Sequence, residues 1–201
     1  MREDSSDMSL DLSRSTNRPR IVGVDDGAFH VRSGAVRSAV IVAVLFHGSR
    51  ISATRIGRIE VDGTDANAVL IALLKTFAYE VVMLSGISFG GFNLVDIKRL
   101  SGETGKPVIA VIGGKPNNTA VRHALRGHFE DWKLRWRIVR NAGSLYSCKP
   151  FLKEPKVYFE VKGDSPRFAR KLIASSSTIS RLPEPIRVAG LLARGLAPLV
   201  G

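Results

Sequence analysis

The order of the apolar segments constrains the fold of this chain more than any other feature. Three consecutive β-rich segments come first, at residues 20–25, 35–46 and 50–61. Helical and strand-like patterns then alternate, with a helix near 69–77, a strand at 80–84, a helix at 92–100, a strand at 107–112 and a helix at 118–129. Since sequential strands tend to pair and parallel crossovers are right-handed, this order predicts an antiparallel meander that continues into parallel βαβ units.

Such an order is typical of the α/β ribonuclease H-like fold, whose mixed sheet has three antiparallel strands followed by parallel βαβ crossovers. A further strand at 156–161 and helices at 165–174 and 183–196 extend the pattern. Residues 1–18 are rich in Ser, Asp and Arg, which predicts a disordered polar tail. Residues 19–201 are then expected to form a single domain.

The charge of the chain favours a polyanionic partner. Thirty Lys and Arg residues against 18 Asp and Glu residues give a formal net charge of +12, which makes DNA or RNA the first partner to consider. The longest apolar run, Ala39 to Phe46, is much shorter than the roughly 20 residues that cross a bilayer. With a polar N-terminus and a single cysteine, Cys148, the sequence predicts a cytoplasmic protein that does not bind membranes.

Several motifs together resemble a known superfamily. Gly23-Val24-Asp25 resembles the first-strand motif of endonuclease V, which ends in a metal-binding aspartate, and residues 181–189 resemble its C-terminal proline-glutamate-proline motif. Residues 25–29, 85–93 and 113–117 are more similar to a mainly archaeal family related to endonuclease V. The resemblance implies the ribonuclease H-like fold and carries no established activity for that closer family.

The resemblance also implies a metal site built from three carboxylates, which would hold Mg²⁺ or Mn²⁺ through hard oxygen ligands. Asp25, Asp65 and Asp164 fall in register with metal-site positions of the superfamily, and Lys115 matches a lysine beside its active site. Each has a simpler interpretation. Asp25 could form a turn, Asp65 and Asp164 could cap helices, and Lys115 could be an ordinary surface residue.

Ser85 is the main departure from the superfamily pattern, which has an aspartate at this place. The replacement removes one negative charge from the implied metal cluster and weakens the case for catalysis. A histidine-proline-arginine sequence that should follow is also absent. Gly86, Gly90 and Gly91, with Ser85, could form a substrate loop whose amides approach a phosphate, or they could simply form a tight turn.

A basic segment surrounds both tryptophans of the chain, and its residues are candidates for nucleic-acid binding along with Lys115: Arg122, Arg126, Lys133, Arg135 and Arg137. Trp132, Leu134, Trp136 and Ile138 alternate at strand spacing. This alternation favours a strand with its tryptophans in the core over a platform on which bases stack.

Two functions remain open from the sequence. The preferred one is a nucleic-acid-binding protein with a divergent endonuclease V-like site that cleaves phosphodiesters with a divalent metal. The other is a non-catalytic nucleic-acid-binding or interaction protein that kept the fold and lost the metal chemistry. The four histidines form no recognisable triad with a serine or with Cys148, which disfavours hydrolysis through a side-chain nucleophile.

Overall fold

The structure, a computed structural model, describes residues 19–27 and 38–200. One mixed sheet in these ranges contains β1 (Arg20–Asp26), β2 (Ser38–His47), β3 (Arg50–Glu60), β4 (Val81–Ser85), β7 (Val108–Ile112), β8 (Tyr146–Cys148) and β9 (Val157–Lys162). A separate hairpin contains β5 (Ser88–Phe89) and β6 (Asn93–Leu94). The helices are α1 (Ala66–Leu74), α2 (Ile97–Thr104), α3 (Asn118–His128), α4 (Trp132–Ala142), α5 (Pro166–Ser176) and α6 (Glu184–Val200). The predicted tail at 1–18 lies outside the described residues.

Strand pairing in the sheet follows the predicted topology. The order is β3-β2-β1-β4-β7-β9-β8. β1, β2 and β3 pair antiparallel, and β1, β4 and β7 pair parallel. The carboxyl ends of the three parallel strands therefore meet at one edge of the sheet, which is where ligands bind in open α/β sheets.

The strand β9 runs against its neighbour β7, with Val108 opposite Lys162 and Ile112 opposite Tyr158. Its carboxyl end consequently lies at the opposite edge of the sheet from the ends of β1, β4 and β7. The sequence predicts β9 but not its direction, and this direction decides which acids can meet.

Helices cover both faces of the sheet, because successive strand residues point to opposite faces. One core lies beneath α1, α2 and α4 and includes Val22, Val24, Leu70, Leu100 and Ala142. The other face packs against α5 and α6, in cores that include Ile21, Met83, Ile173, Val42 and Ala189. None of the described helices has the length and apolar character required to cross a membrane.

The helix predicted at residues 92–100 begins later, at Ile97. The carboxylate of Asp96 accepts hydrogen bonds from the backbone N–H groups of Lys98 and Arg99 and so caps α2 at its start. The residues before it form the β5–β6 hairpin instead. This hairpin passes over the carboxyl end of β1 and becomes part of the site described below.

The strand predicted around Trp132 and Trp136 is wrong, since these residues lie in α4. The inward face of this helix carries Arg135 and Ala142, both buried. Because an arginine occupies a core position, the apolar residues of α4 do not recur with a helical period. The remaining apolar residues alternate in the sequence, which is the pattern expected of a strand.

Candidate active site

Asp25 and Ser85 lie side by side at the carboxyl edge of the sheet. β1 and β4 are parallel neighbours with Val24 opposite Leu84, so the next residues of the two strands meet where both strands end. The Ser85 side chain is near enough to the Asp25 carboxylate to lower its pKa. The predicted departure, a serine in place of an acid, is thus beside the predicted first carboxylate.

Burial controls the ionisation of Asp25. Removal of the carboxylate from water, together with the neighbouring charge of Asp26, raises its pKa to about 6. The Asp26 N–H, which donates to Asp25 Oδ1 at 3.0 Å, the Ser85 hydroxyl and the Arg194 guanidinium oppose this rise. Asp25 is therefore a half-buried carboxylate whose charge is only partly compensated by protein groups.

Asp26 holds the glycine loop of the β5–β6 hairpin. Its Oδ2 accepts a hydrogen bond from the Gly90 N–H at 2.6 Å, and burial raises its pKa. Gly90 and Gly91 adopt φ angles of 48° and 83°. A Cβ at Gly91 would overlap the carboxylate of Asp62, so this loop can approach the acids only as glycine.

Asp62 and Asp65 lie on the far side of the same glycine loop from Asp26. Asp62 Oδ1 accepts from the Phe92 N–H at 2.8 Å, and its own N–H donates to the Gly90 carbonyl at 2.7 Å. Asp65 Oδ1 accepts from the Asn93 side-chain amide at 2.5 Å and from the Glu60 N–H at 3.2 Å. Hydrogen-bond donors of the protein therefore occupy both carboxylates.

The capping interpretation of Asp65 also needs correction. Asp65 stands at the N-terminus of α1 but its side chain makes no capping hydrogen bond. Asn93 does this instead, since its Oδ1 accepts from the Ala66 N–H at 3.0 Å. Asp65 contributes indirectly, because it accepts a hydrogen bond from the side-chain amide of Asn93, the residue that caps the helix.

Asp164 is at the wrong edge of the sheet to join Asp25. It follows β9, whose end lies beside the beginning of β7. A Cβ on the preceding Gly163 would lie 3.1 Å from Pro107 Cα, just before β7 starts. Asp164 Oδ1 accepts from the Ser165 N–H at 2.6 Å, and Ser165, not Asp164, caps α5. The sequence predicts that Asp25, Asp65 and Asp164 converge on one metal. In the structure they do not, because Asp164 lies at the opposite edge of the sheet from Asp25.

Lys115 lies at the same edge as Asp25 but two strands away, in the exposed loop that follows β7. At about 4.8 Å per strand, β7 and β1 are separated by roughly 10 Å. Arg181 anchors the start of this loop, because its Nη1 donates to the Gly113 carbonyl at 2.8 Å.

The oxygen donors at this edge of the sheet meet the needs of a divalent metal only in part. Within the ranges that the structure describes, no group of three or more His, Cys, Asp or Glu side chains could hold an ion. Asp25 and the Ser85 hydroxyl still offer hard oxygen donors on the face of the sheet that α6 covers, whereas Asp26, the next residue of β1, holds Gly90 on the other face. Because Mg²⁺ retains several waters and can bind through one carboxylate plus substrate phosphates, Asp25 fits a single Mg²⁺ or Mn²⁺ but not a pair.

The helix α6 packs directly against Asp25. The sequence predicts this helix but not its contact with Asp25. A Cβ at Gly190 would overlap Asp25 Oδ2 and would lie 3.0 Å from Arg194 Nη1. Gly23 likewise lies against the backbone of Pro185 with no room for a Cβ. The proline-glutamate-proline motif is therefore the start of a helix that packs unusually close to β1, and the glycines were the signal for this contact.

Gly190→Ala should lower the free energy of unfolding by about 1–3 kcal/mol, since the added methyl group must displace the Asp25 carboxylate or push α6 from β1. The matched control is Gly195→Ala in the same helix, where a Cβ would meet nothing within 4 Å. Better helix propensity should stabilise that variant by about 0.5–1 kcal/mol. Urea unfolding measures both, and equal stability of the two variants would contradict the close contact.

The candidate nucleic-acid-binding residues divide into two groups. Arg122, Arg126, Lys133 and Arg137 are exposed on the α3–α4 hairpin. Arg135 is only 6% exposed, and its guanidinium binds Asp131 and three backbone carbonyls. The prediction that Arg135 contacts nucleic acid is therefore corrected, because its donors are used inside the protein.

The comparisons with known proteins agree with this architecture. The profile of a family described as endonuclease dU matches residues 17–197. A UPF0215 protein of Thermococcus gammatolerans is 37% identical over 179 residues, which cover 87% of this chain and 90% of that protein. A crystal structure of a protein of unknown function from Archaeoglobus fulgidus is 30% identical, with a TM-score of 0.77, over 92% of this chain and 100% of that chain.

A more distant likeness is to Ciona intestinalis endonuclease V, solved in complex with DNA containing an inosine. It is 14% identical, with a TM-score of 0.57, over 91% of this chain and 87% of that chain. At this identity the likeness concerns the fold alone. It supports the ribonuclease H-like architecture that the order of the segments predicts.

Proposed function

Since this chain belongs to the endonuclease dU family, we propose that it is an endonuclease that binds DNA and hydrolyses a phosphodiester at the carboxyl ends of β1 and β4. The observation that carries the proposal is the half-buried Asp25 carboxylate, which lies beside Ser85 where β1 and β4 end. A negative site of this kind would repel a phosphate, so it has a use in DNA cleavage only when a cation neutralises it.

The residues have distinct roles in this proposal. Asp25 would hold one Mg²⁺ or Mn²⁺, which when bound would supply charge neutralisation at the phosphate and promote ionisation of a water. Ser85 lies beside Asp25 and favours the charged form of its carboxylate. Lys115, on its exposed loop, contacts a phosphate farther along the strand. Gly90 keeps Asp26 in place through its N–H.

A non-catalytic DNA-binding protein is the second candidate, and a specific observation favours it. Asp62 and Asp65 are engaged by donors of the β5–β6 segment, and Asp164 lies at the other edge of the sheet. With Ser85 in place of an acid, fewer negative charges remain for a metal than a two-metal nuclease requires. The basic net charge would then serve binding alone.

The substrate follows from the family rather than from the geometry. The family description names dU, which we take to mean that deoxyuridine is the nucleoside recognised in DNA. Inosine is the natural comparison, because the solved Ciona endonuclease V complex contains it. We place this activity in the cytoplasm.

The experiment uses the full chain and end-labelled oligonucleotides that carry one deoxyuridine, one inosine or neither, in duplex, single-stranded and RNA forms. The proposal expects a product from deoxyuridine-containing DNA with Mg²⁺ or Mn²⁺ and none with EDTA. Retention of DNA without a product under any of these conditions would establish the binding protein instead. Neither retention nor product would reject both candidates.

A further inference from the structure

The helices α3 and α4 form an antiparallel hairpin joined by two matched contacts between arginine and tryptophan. The Arg122 guanidinium lies over the Trp136 ring at 5.7 Å from its centroid, and that of Arg126 lies over Trp132 at 5.4 Å. Arg122 and Arg126 are four residues apart, as are Trp132 and Trp136. Two arginines one helical turn apart on α3 therefore lie over two tryptophans one helical turn apart on α4.

Positive charge dominates the outer side of this hairpin. We define the basic hairpin surface as the exposed side chains of Arg122, Arg126, Lys133, Arg137 and Arg140. Residues 133, 137 and 140 follow helical spacing and so share one face of α4. Of the two acids in the hairpin, Asp131 is paired with the buried Arg135 at 2.7 Å and so does not neutralise this surface.

The tryptophans do not offer open faces for bases. Both are half-buried, and Lys133 Nζ adds a second cation over Trp132 at 5.9 Å from the ring centroid. A ring already covered by a guanidinium cannot also stack on a base on that side. The arginines, in contrast, keep donors directed to solvent while the rings restrict their motion, an arrangement suited to phosphates.

The hairpin is also connected to the candidate active site. Arg135 donates to the Phe92 carbonyl at 2.7 Å and to the Asp62 carbonyl at 3.0 Å. These residues flank the glycine loop whose Gly90 N–H binds Asp26. The hairpin is thus fixed in position relative to the loop that binds Asp26 at the end of β1.

We propose that the basic hairpin surface binds the sugar-phosphate backbone of DNA without reading its bases, as a contact separate from the cleavage site. The choice of DNA rests on the proposed function. The chemistry of the surface, cations held over covered aromatic rings, stands independently of cleavage. Charge complementarity to a polyanion selects this occupant over an apolar partner.

The first test compares the salt dependence of DNA affinity in two double variants, measured with labelled DNA in EDTA. Arg122→Gln with Arg126→Gln should reduce the slope of log K against log salt by about 2, roughly one per lost phosphate contact. The matched control is Arg167→Gln with Lys171→Gln, an exposed pair with the same spacing on α5. Its slope should equal that of the wild type, and equal slopes for all three proteins would overturn the proposal.

The second test needs no variant. Trp132 and Trp136 are the only tryptophans in the sequence, so tryptophan emission reports on this hairpin alone. DNA without deoxyuridine should change the emission in EDTA in parallel with binding. The inference would be overturned if DNA bound with unchanged tryptophan emission and the Arg122/Arg126 variant kept the wild-type slope. It would also be overturned if the protein bound RNA duplex but not DNA. If the Arg122/Arg126 variant has a reduced slope and the protein cleaves no DNA, the basic hairpin surface binds DNA and the proposed endonuclease activity is rejected. If the protein cleaves DNA and the slope is unaltered, the activity is supported and DNA binding by this surface is rejected.

Discussion

Asp25→Asn is expected to reduce DNA cleavage by roughly 10²- to 10⁴-fold while leaving DNA affinity nearly unchanged. The substitution removes the charge that would hold a metal next to the scissile phosphate. It retains Oδ1, which accepts the Asp26 N–H at 3.0 Å, and so preserves the local shape. Single-turnover rates with excess protein measure the loss, and labelled DNA in EDTA measures the affinity.

The same variant should be more stable than the wild type in EDTA. Burial raises the Asp25 pKa from 3.8 to about 6, so the folded state binds more protons than the unfolded state between these values. Wild-type stability therefore falls as pH rises from about 4 to 6, whereas that of the variant does not. At pH 8 the variant should gain up to about 3 kcal/mol, and below pH 4 the gain should vanish. Urea unfolding at both pH values measures this difference.

Asp164→Asn is the matched control for both measurements. It removes the same charge from the opposite edge of the sheet, where the carboxylate is exposed and, among the residues that the structure describes, accepts only the Ser165 N–H. Its cleavage rate should equal that of the wild type. Equal rates for wild type and Asp25→Asn would remove Asp25 from the mechanism, and a slow Asp164→Asn would restore the metal role that the strand direction contradicts.

The sheet could be predicted because its central strands are buried on both faces and so form nearly continuous apolar runs. Val40–Phe46, Val81–Leu84 and Val108–Val111 have this character. The strand β8 and the β5–β6 hairpin could not be predicted because their strands are too short. β8 has three residues and the β5–β6 pair has two in each strand, too few to establish a period of two.

The candidate site was predictable only where it depends on the ends of parallel strands. Asp25 and Ser85 meet because β1 and β4 are parallel, and helical crossovers signal that direction. Asp164 could not be located, since the pattern of β9 is the same in either direction. Gly190 reaches Asp25 only through the packing of α6, a contact made across 165 positions of the chain.

The helix α4 could not be predicted from the sequence because a charged residue is buried on its inner side. The buried positions 135 and 142 form its inner side, and an arginine occupies the first of them. Nε donates to Asp131 at 2.7 Å, and the other nitrogens donate to the carbonyls of Asp62, Gly63 and Phe92. The guanidinium also lies over the Phe129 ring at 4.2 Å from its centroid. Arg135 thus serves as a polar core residue that joins α4 to the segments around the glycine loop.

Arg135→Met should lower the free energy of unfolding by about 3–5 kcal/mol. The methionine fills much of the space but leaves three backbone carbonyls without their donor and Asp131 without its cation. The melting temperature should fall by roughly 10 °C, which thermal unfolding followed by circular dichroism measures. Since the glycine loop loses its support from α4, hydrogen exchange should also accelerate at Gly90 and Phe92.

Arg99→Met supplies the matched control, because Arg99 also pairs with an acid four residues away in a helix. Its Nε lies 2.6 Å from Glu103 Oε1, but the two side chains are 60% and 42% exposed, against 8% for Arg135. An exposed ion pair contributes less than about 1 kcal/mol, so this variant should remain close to the wild type. Equal losses in the two variants would mean that the backbone carbonyls around Arg135 find other donors, and that α4 is held by its apolar contacts alone.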